Sequence, residues 1–218
     1  MVYGDACVIP FPKGDTTVRR LAYELWIRGI TFAFADGIHS QQTFSFSDKN
    51  AVSLFPIVFL KGTYREIQNT VRDKKVQGVL NYVPVSDNKF TRTVLSQPVV
   101  FGLYDYHISP RDGFDRVCAR MAEERGVAVD ISVRPIIMSR GWERQKILRR
   151  YEELIRLWHR YRFPILISTH AQTVTDIRSP QALISLCSLF GLDKRETQEI
   201  ISSLPNLIHP EKLVREIL

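Results

Sequence analysis

The chain has 218 residues, of which 44% are hydrophobic and 24% are charged, a balance that argues against disorder and fits one globular domain over residues 1–218. No apolar run reaches the roughly 20 residues of a membrane-spanning helix, and residues 1–10 lack the basic segment that opens a signal peptide. The net charge of +7 and the isoelectric point of about 9.4 favour an anionic partner, most commonly a nucleic acid.

The predicted elements alternate between strands and helices along the chain. Apolar, β-rich segments are followed by segments with helical spacing, many of them bounded by a glycine or a capping residue. The polar segment at residues 37–54 is predicted to be a loop over one end of the sheet. Strands are predicted at residues 6–11, 30–35, 57–60, 76–83, 99–104, 127–131 and 163–168, and helices at residues 16–28, 64–74, 90–95, 114–125, 142–160, 180–190, 194–202 and 211–217.

The apolar runs indicate strands that are buried on both faces. Residues 127–129 and 164–167 are continuously apolar rather than alternating, as in a parallel sheet covered by helices. About seven βα units in one domain favour an α/β fold of the TIM-like (β/α) barrel type, closed or nearly closed. An open, doubly wound sheet is the alternative.

The three cysteines, Cys7, Cys118 and Cys187, are far apart in the chain, and no CxxC pair occurs. This spacing argues against a disulfide framework or a zinc ribbon and favours a reducing, cytoplasmic location. Each cysteine lies in an apolar segment, so buried structural thiols are predicted.

Polar residues follow several predicted strands, at the end of the sheet where βα barrels carry their sites. Aspartate and histidine at such positions can bind a divalent metal or transfer protons, and they can equally cap helices and strand ends. The set comprises Asp36, His39, Asp105, His107, Asp130, Arg134, Ser168 and His170. A metal-dependent phosphoesterase that uses Asp36, His39, Asp105, His107 and His170 is therefore one alternative.

The motifs of hydrolytic enzymes are missing from the sequence. The first strand, within residues 4–10, has no histidine pair, and the chain has no HExxH, no glycine-rich phosphate loop and no GxSxG. Capping is therefore the favoured interpretation of the strand-end residues. We predict no catalytic residue, no metal ligand and no cofactor in this chain.

The segment between Arg134 and Arg162 carries most of the net charge, with nine basic and three acidic residues. In the helix at residues 142–160 one stripe is apolar and is expected to face the core, while the opposite face is mainly arginine. The planar guanidinium group matches phosphate oxygens two at a time, although a simple solvated face is also possible. The apolar stripe is Ile147, Tyr151, Leu154, Trp158 and Tyr161, and the basic face is Lys146, Arg149, Arg150, Arg156 and Arg160.

Two segments of the second half resemble a known family. Residues 126–137 combine a strand with an Arg-Pro pair before the arginine-rich helix, and residues 167–183 combine a strand, a short loop and an Asp-x-Arg-x-Pro helix start. In order and spacing these segments are similar to the ribonuclease P protein component 3 family of archaea, which has a eukaryotic counterpart. The first half of the chain is similar to that family only in its alternation of predicted strands and helices.

The resemblance implies a barrel related to the polymerase-and-histidinol-phosphatase fold without its metal ligands. It also implies a role in removing the 5′ leader from precursor tRNA, in which the RNA component carries the chemistry and binds magnesium, and the isolated chain is inactive. The implied partners are ribonuclease P RNA, protein component 2 and the other protein subunits, with precursor tRNA contacted indirectly. A barrel that serves only as a protein-interaction scaffold is the remaining alternative.

The basic segment and the resemblance together give a predicted RNA-binding set. Arg134 matches the strand-end motif, and Arg178 matches the helix-start motif. Arg178 is expected to contact a carboxylate such as Asp130 or Asp176, or an RNA phosphate. His170 stands where the family is expected to have a small residue, which leaves an added RNA contact open. The predicted RNA-binding residues are Arg134, Arg140, Arg144, Lys146, Arg149, Arg156, Arg160, His170 and Arg178.

Overall fold

A computed structural model describes residues 2–47, 50–72, 79–98 and 100–207. Its strands are β1 (Gly4–Val8), β2 (Phe32–Asp36), β3 (Gln42–Ser47), β4 (Asn50–Phe59), β5 (Leu80–Pro84), β6 (Val100–Tyr104), β7 (Ala128–Ser132) and β8 (Ile165–Ser168). Its helices are α1 (Val18–Ile27), α2 (Tyr64–Arg72), α3 (Asn88–Leu95), α4 (Arg116–Arg125), α5 (Arg134–Met138), α6 (Gly141–Tyr161), α7 (Pro180–Cys187) and α8 (Lys194–Ser203). Short 3₁₀ turns lie at Tyr106–Ile108, Ser188–Phe190 and Leu204–Leu207.

The sheet follows the order β1-β2-β4-β5-β6-β7-β8, with parallel pairing between neighbours. β1 also reaches the segment after β8, because the N–H of Ile9 donates to the carbonyl of Ala171 at 2.7 Å. Below this contact the Asp5 carboxylate accepts hydrogen bonds from the Thr169 amide at 2.9 Å and from its hydroxyl at 2.5 Å. The seven parallel strands thus form a nearly closed barrel, which confirms the predicted fold.

The strands are buried on both faces, as the apolar runs predicted. Every residue of β1, β2, β7 and β8 is buried. One cluster draws on all seven parallel strands and fills the barrel interior, with Phe34, Tyr82 and Leu166 among its members. A second cluster packs outward-facing strand residues such as Val129 and Ile131 against the helices. Burial of apolar surface in two layers is the main stabilising term for such a fold.

The prediction of a loop at residues 37–54 was wrong. β3 lies in this segment and pairs antiparallel with β4, which begins at Asn50. Exposure alternates along β3 because its phenylalanines face α1 while the intervening polar residues face solvent. The ring of Phe46 lies 5.5 Å from Tyr23 and 5.6 Å from Trp26 of α1, measured between centroids. A strand that packs one face against a helix is buried on that face only, so apolar residues on the packed face alternate with polar residues on the solvent face.

The bounds of the remaining helices and strands lie within a few residues of the predicted bounds, and one α-helix was not predicted. The short helix α5 directly follows β7 and was not predicted; Pro135 occupies its first turn, where a missing N–H has no cost. The predicted helix at residues 211–217 lies outside the described residues, as do residues 73–74, 76–78 and 99 of three other predicted elements. No helix in the described ranges is long and apolar enough to cross a membrane.

Candidate functional site

One face of α6 carries a row of mainly basic residues, here called the α6 stripe, and its four basic members are exposed. Its members are Trp142, Lys146, Arg149, Glu153, Arg156 and Arg160, at spacings of four, three, four, three and four residues. This spacing places them on one side of a helix. The opposite side is fixed in the core by Ile147, Tyr151 and Leu154, as predicted, while Trp158 and Tyr161 are partly exposed.

The α6 stripe forms one wall of a groove. The other wall is the loop after β6, from His107 to Arg111, and the space between them has a volume of about 510 Å³. A second cavity of about 340 Å³ continues along α6 towards Arg156 and Arg160. We call both cavities together the α6 groove. Seven basic residues and one acidic residue line it, namely Arg111, Arg116, Lys146, Arg149, Arg150, Arg156, Arg160 and Glu153.

Arg150 was predicted on the exposed face, and this was wrong because the residue is only 6% exposed. Its guanidinium donates to Ser109 Oγ at 3.1 Å and to the Pro110 carbonyl at 3.2 Å, and it lies 4.6 Å from the ring centroid of Tyr106. It also pairs with Glu153 at 2.8 Å. Arg150 follows Ile147 by three residues and therefore lies at the border of the buried side. Its role is to attach the loop after β6 to α6.

Two further predicted residues lie where α5 meets α6. Arg140 precedes the first turn of α6 and is exposed. Arg144 is partly buried and donates to the carbonyl of Ser139 at 2.9 Å, at the end of α5. Arg144 therefore holds the junction between the two helices, and its guanidinium is less accessible than those of the α6 stripe.

Arg134 lies at the start of α5 and forms an ion pair with Asp176, in the loop before α7. The same carboxylate accepts hydrogen bonds from the amides of Gln172 at 3.1 Å and Thr173 at 3.2 Å. Burial opposes the charge of Asp176, but these amides and Arg134 outweigh it and lower its pKa below the usual value. The pair connects the loops that follow β7 and β8.

Arg178 does not contact a carboxylate, so that part of the expectation was wrong. Asp176 is engaged by Arg134, and Asp130 is engaged by His170. Arg178 instead donates through one nitrogen to the carbonyls of Thr175 at 2.5 Å and Ile177 at 3.1 Å. Its two other guanidinium nitrogens have no hydrogen-bond partner among the described residues. They remain available to an anion.

The mouth of the barrel, where the parallel strands end, holds a separate cavity of about 460 Å³. Asp36 at the end of β2 forms an ion pair with Lys13 at 2.8 Å. His170 lines the same cavity in a left-handed conformation (φ 46°) and contacts the Asp130 carboxylate at 2.8 Å. Burial alone would lower the pKa of His170, but the neighbouring acids Cys7 and Asp130 outweigh it and raise the pKa well above its usual value.

The acidic groups of the mouth differ in accessibility. Asp5 is fully buried in β1, and burial raises its pKa to about 6 against the opposing effect of its Thr169 hydrogen bonds. Asp105 lines the cavity, and burial also raises its pKa. The carboxylates of Asp5, Asp36 and Asp130 each have a contact within the protein, as expected of buried polar groups.

The strand-end residues of the phosphoesterase alternative come together only in part. Asp36, Asp105 and His170 line the mouth cavity, whereas His39 is exposed and absent from its lining. His107 lies at the α6 groove, and burial lowers its pKa to about 4. Within the described ranges, no group of three or more histidine, cysteine, aspartate or glutamate residues has the geometry to hold a metal ion. The three cysteines are buried free thiols, as predicted.

Sequence reasoning missed several residues of the α6 groove. Trp142 is 70% exposed and lies at the first turn of α6, where its spacing from Lys146 could have placed it on the stripe. Arg111, Ile108 and Arg116 belong to the opposite wall or its continuation. No local pattern identifies them, because their position depends on packing between elements that are distant in sequence.

Comparisons with known proteins agree with this architecture. Ribonuclease P protein component 3 of Methanothermobacter thermautotrophicus is 27% identical over 155 residues, which cover 71% of this chain and 63% of the relative, so that this match spans less than two thirds of its length. A chain of archaeal ribonuclease P, whose structure was determined by cryo-electron microscopy with mature tRNA, superposes with a TM-score of 0.71 at 16% identity and covers 94% of this chain and 89% of that one.

The barrel is also similar to that of a phosphatase. Histidinol phosphate phosphatase of Lactococcus lactis, crystallised with zinc, L-histidinol and phosphate, superposes with a TM-score of 0.54 at 12% identity over 86% of this chain and 93% of that one. At this identity the likeness concerns the fold alone, and it agrees with the predicted barrel. The family model described as ribonuclease P subunit p30 matches residues 6–216, nearly the whole sequence, and the chain therefore belongs to the ribonuclease P subunit p30 family.

Proposed function

We propose that this chain is a protein subunit of a ribonuclease P ribonucleoprotein and contacts the RNA component through the α6 stripe. Family membership supports the subunit role. The observation that carries the RNA contact is the row of exposed basic residues, Lys146, Arg149, Arg156 and Arg160, on a helix whose other side is fixed in the core. A row of guanidinium and ammonium groups at helical spacing on a firmly packed helix suits a phosphate backbone.

Most basic side chains of the α6 stripe have no ion-pair partner among the described residues and can therefore bind an external anion. Lys146, Arg149 and Arg160 form no hydrogen bond or ion pair with the described residues, and Arg156 pairs with Glu152 on the exposed surface. An exposed ion pair contributes little to stability, so Arg156 can exchange its partner for a phosphate. Binding would release counterions from the RNA and would therefore weaken as the salt concentration rises.

In this proposal the RNA component removes the 5′ leader of precursor tRNA with magnesium, and the chain supports it without catalysing the reaction. Asp36 and Asp130 agree with a non-catalytic role, because Asp36 is paired with Lys13 and Asp130 is paired with His170. We propose protein component 2 and the other protein subunits as further partners, and precursor tRNA as an indirect one. The proposed location is the cytoplasm.

The other residues of the predicted RNA-binding set have different proposed roles. Arg140 is exposed immediately before the first turn of α6 and is proposed to contact phosphate directly. Arg178 is proposed to do the same through its free nitrogens. Arg134 and Arg144 act indirectly by holding the surrounding loops and helices. His170, at the mouth of the barrel, is proposed as a weaker contact because its ring already faces Asp130.

A charge-reversal experiment tests the α6 stripe. The variant Arg149→Glu/Arg156→Glu/Arg160→Glu is reconstituted with ribonuclease P RNA, and its affinity is measured across a range of salt concentrations. We expect weaker binding and a salt slope smaller by about 2 to 3, because each lost phosphate contact removes roughly one released counterion. The stripe is opposite the buried side, so circular dichroism should give a wild-type helix content.

The matched control reverses three exposed charges elsewhere, in Arg120→Glu/Arg125→Glu/Arg195→Glu. Arg120 and Arg195 form exposed ion pairs within α4 and α8. The control changes the net charge by the same amount, so it separates a local contact from a general electrostatic effect. Equal affinities and equal salt slopes in the two variants would contradict the proposed contact.

A further inference from the structure

We propose that the α6 groove binds one unpaired nucleotide of RNA, with its base stacked on Trp142 and its flanking phosphates against Lys146 and Arg149. This proposal rests on the proposed function, since it takes α6 as the side that faces RNA. It adds a site for a base to a surface otherwise assigned to phosphates.

The first observation is the exposure of Trp142. Its side chain is 70% exposed although it lines a cavity, and Ile108 on the opposite wall is also 70% exposed. Two large apolar side chains therefore face the same space without covering each other. An exposed aromatic ring inside a basic surface is the arrangement on which proteins stack unpaired bases, because every base offers an apolar face to the ring.

The second observation is the charge around that ring. Lys146 and Arg149 follow Trp142 by one and two helical turns on the same side of α6, and Arg111 extends from the opposite wall. The acidic group in the lining, Glu153, is paired with Arg150 at 2.8 Å. The field inside the groove is therefore positive, which fits the phosphates on either side of a stacked base.

The third observation is that the groove exists before anything binds. Arg150 joins the loop at Ser109 and Pro110 to α6 through three hydrogen bonds to that loop, two of them at 3.1 and 3.2 Å. Its guanidinium also packs over Tyr106. Since both walls are fixed to each other, a ligand would lose little affinity in ordering them. A volume of about 510 Å³ lies within the range of small-ligand sites and suits a single nucleotide.

The test compares two single-stranded RNA probes of equal length, an adenine homopolymer and a strand that is abasic at every position. Both carry the same number of phosphates, but only the first has bases that can stack on Trp142. Fluorescence anisotropy with the purified chain should give about ten-fold tighter binding of the adenine strand. Trp142→Ala should remove this preference, whereas Leu189→Ala, at another exposed apolar residue outside the groove lining, should keep it.

Arg149→Glu separates this proposal from the function on which it rests. It should weaken both probes by a similar factor, since it removes a phosphate contact. If Arg149→Glu does so while Trp142→Ala keeps the wild-type preference, or the wild-type chain has none, the nucleotide site is wrong and the RNA contact stands. If neither variant changes the binding of either probe, both proposals fail.

Two further outcomes contradict the nucleotide site directly. A fully paired duplex of the same sequence that competes as well as the single strand would show that no unpaired base is bound. Loss of a protein subunit from the reconstituted complex in Trp142→Ala, with unchanged binding of both probes, would make the groove a protein-binding surface. Circular dichroism of each variant confirms that the fold is retained.

Discussion

Arg134 donates a hydrogen bond to the carboxylate of Asp176, forty-two residues further along the chain. The two residues belong to the two segments that resemble the ribonuclease P component 3 family, at residues 126–137 and 167–183. The structure therefore brings these segments into direct contact, at the end of the barrel where β7 and β8 finish. Each of the two segments thus supplies one partner of an ion pair that connects neighbouring loops.

The first prediction concerns this ion pair. Arg134→Ala should lower the free energy of unfolding by about 1 kcal/mol, because both side chains are partly exposed and Asp176 keeps its two amide donors. Asp176→Ala should cost more, since it also leaves the amides of Gln172 and Thr173 unpaired. A double-mutant cycle by urea unfolding measures the coupling, and additive effects would show that the pair contributes nothing.

The same carboxylate predicts a pH dependence. The pKa of Asp176 is lowered in the folded protein, so its contribution is present above the unfolded value of 3.8 and is lost as the pH falls through the folded value. The coupling between Arg134 and Asp176 should thus be constant at neutral pH, should begin to weaken below about pH 4, and should be lost only as the pH passes below the folded pKa of Asp176. A coupling that is unchanged in acid would contradict this assignment.

The contribution of Asp5 to stability should have the opposite pH dependence. Burial raises its pKa from 3.8 to about 6, so the folded state holds this proton more tightly than the unfolded state. Stability from protonated Asp5 is fully present below pH 3.8 and is lost as the pH rises towards 6. Asp5→Asn cannot ionise, and its unfolding free energy relative to wild type should rise by about 2 kcal/mol between pH 4 and pH 7.

Two neighbours of Asp5, Cys7 and His170, titrate outside this pH range in the folded protein. Burial raises the pKa of Cys7 to about 11, and the pKa of His170 lies well above its usual 6.5. A flat difference between Asp5→Asn and wild type from pH 4 to pH 7 would mean that Asp5 keeps an ordinary pKa. Urea unfolding at a series of pH values gives the difference directly.

Arg150→Lys should destabilise the protein by about 2 kcal/mol. Lysine keeps the charge but cannot reach Glu153, Ser109 and Pro110 at the same time or stack over Tyr106. The matched control is Arg149→Lys, one residue away and exposed, which should leave stability within about 0.5 kcal/mol of wild type. Thermal unfolding compares the two, and equal melting temperatures would mean that Arg150 is not needed to hold the loop.

Arg178→Lys should impair assembly of the reconstituted ribonucleoprotein more than His170→Ala does. Lysine retains one bond to the carbonyl of Thr175 or Ile177 but loses the free nitrogens that are proposed to bind phosphate. His170 is held by Asp130 inside the mouth, so its ring is less available for a contact with RNA. The measurement is the affinity of each variant for the RNA component, with the melting temperature as a check on stability. Wild-type affinity of a stable Arg178→Lys would contradict the contact.

The isolated chain should not cleave precursor tRNA or a generic phosphodiester. The strand-end residues are divided between the mouth cavity and the α6 groove, and the chain lacks the first-strand histidine pair of a hydrolytic metal centre. The assay uses magnesium, manganese and zinc in turn. Metal-dependent turnover that is lost in His107→Ala would favour the phosphoesterase alternative instead.

The sequence predicts the barrel because its strands are buried on both faces and therefore read as apolar runs. β3 has a different pattern, since Phe44 and Phe46 face α1 while their neighbours face solvent. This two-residue alternation is visible in the sequence and is the normal signature of a half-buried strand. The polar composition of this segment favours a loop, whereas the spacing of its phenylalanines favours a strand.

The candidate site is predicted less completely than the fold. The spacing of Lys146, Arg149, Arg156 and Arg160 places them on one face of α6 from the sequence alone. The position of Arg150 does not follow from spacing, because it lies at the edge of the buried side and is decided by the loop that packs there. Likewise, the pairing of Asp176 with Arg134 rather than Arg178 depends on how two loops meet.

The contact between Asp5 and Thr169 has a consequence for how the protein is made. These residues are 164 positions apart, so β1 cannot meet its neighbour beyond β8 until three quarters of the chain has left the ribosome. Until then one edge of β1 has unpaired backbone groups, and each newly made strand becomes the opposite edge. Open edges of apolar strands are the surfaces on which unfinished chains aggregate. The first and last strands of this barrel therefore need protection during synthesis that the folded protein no longer requires.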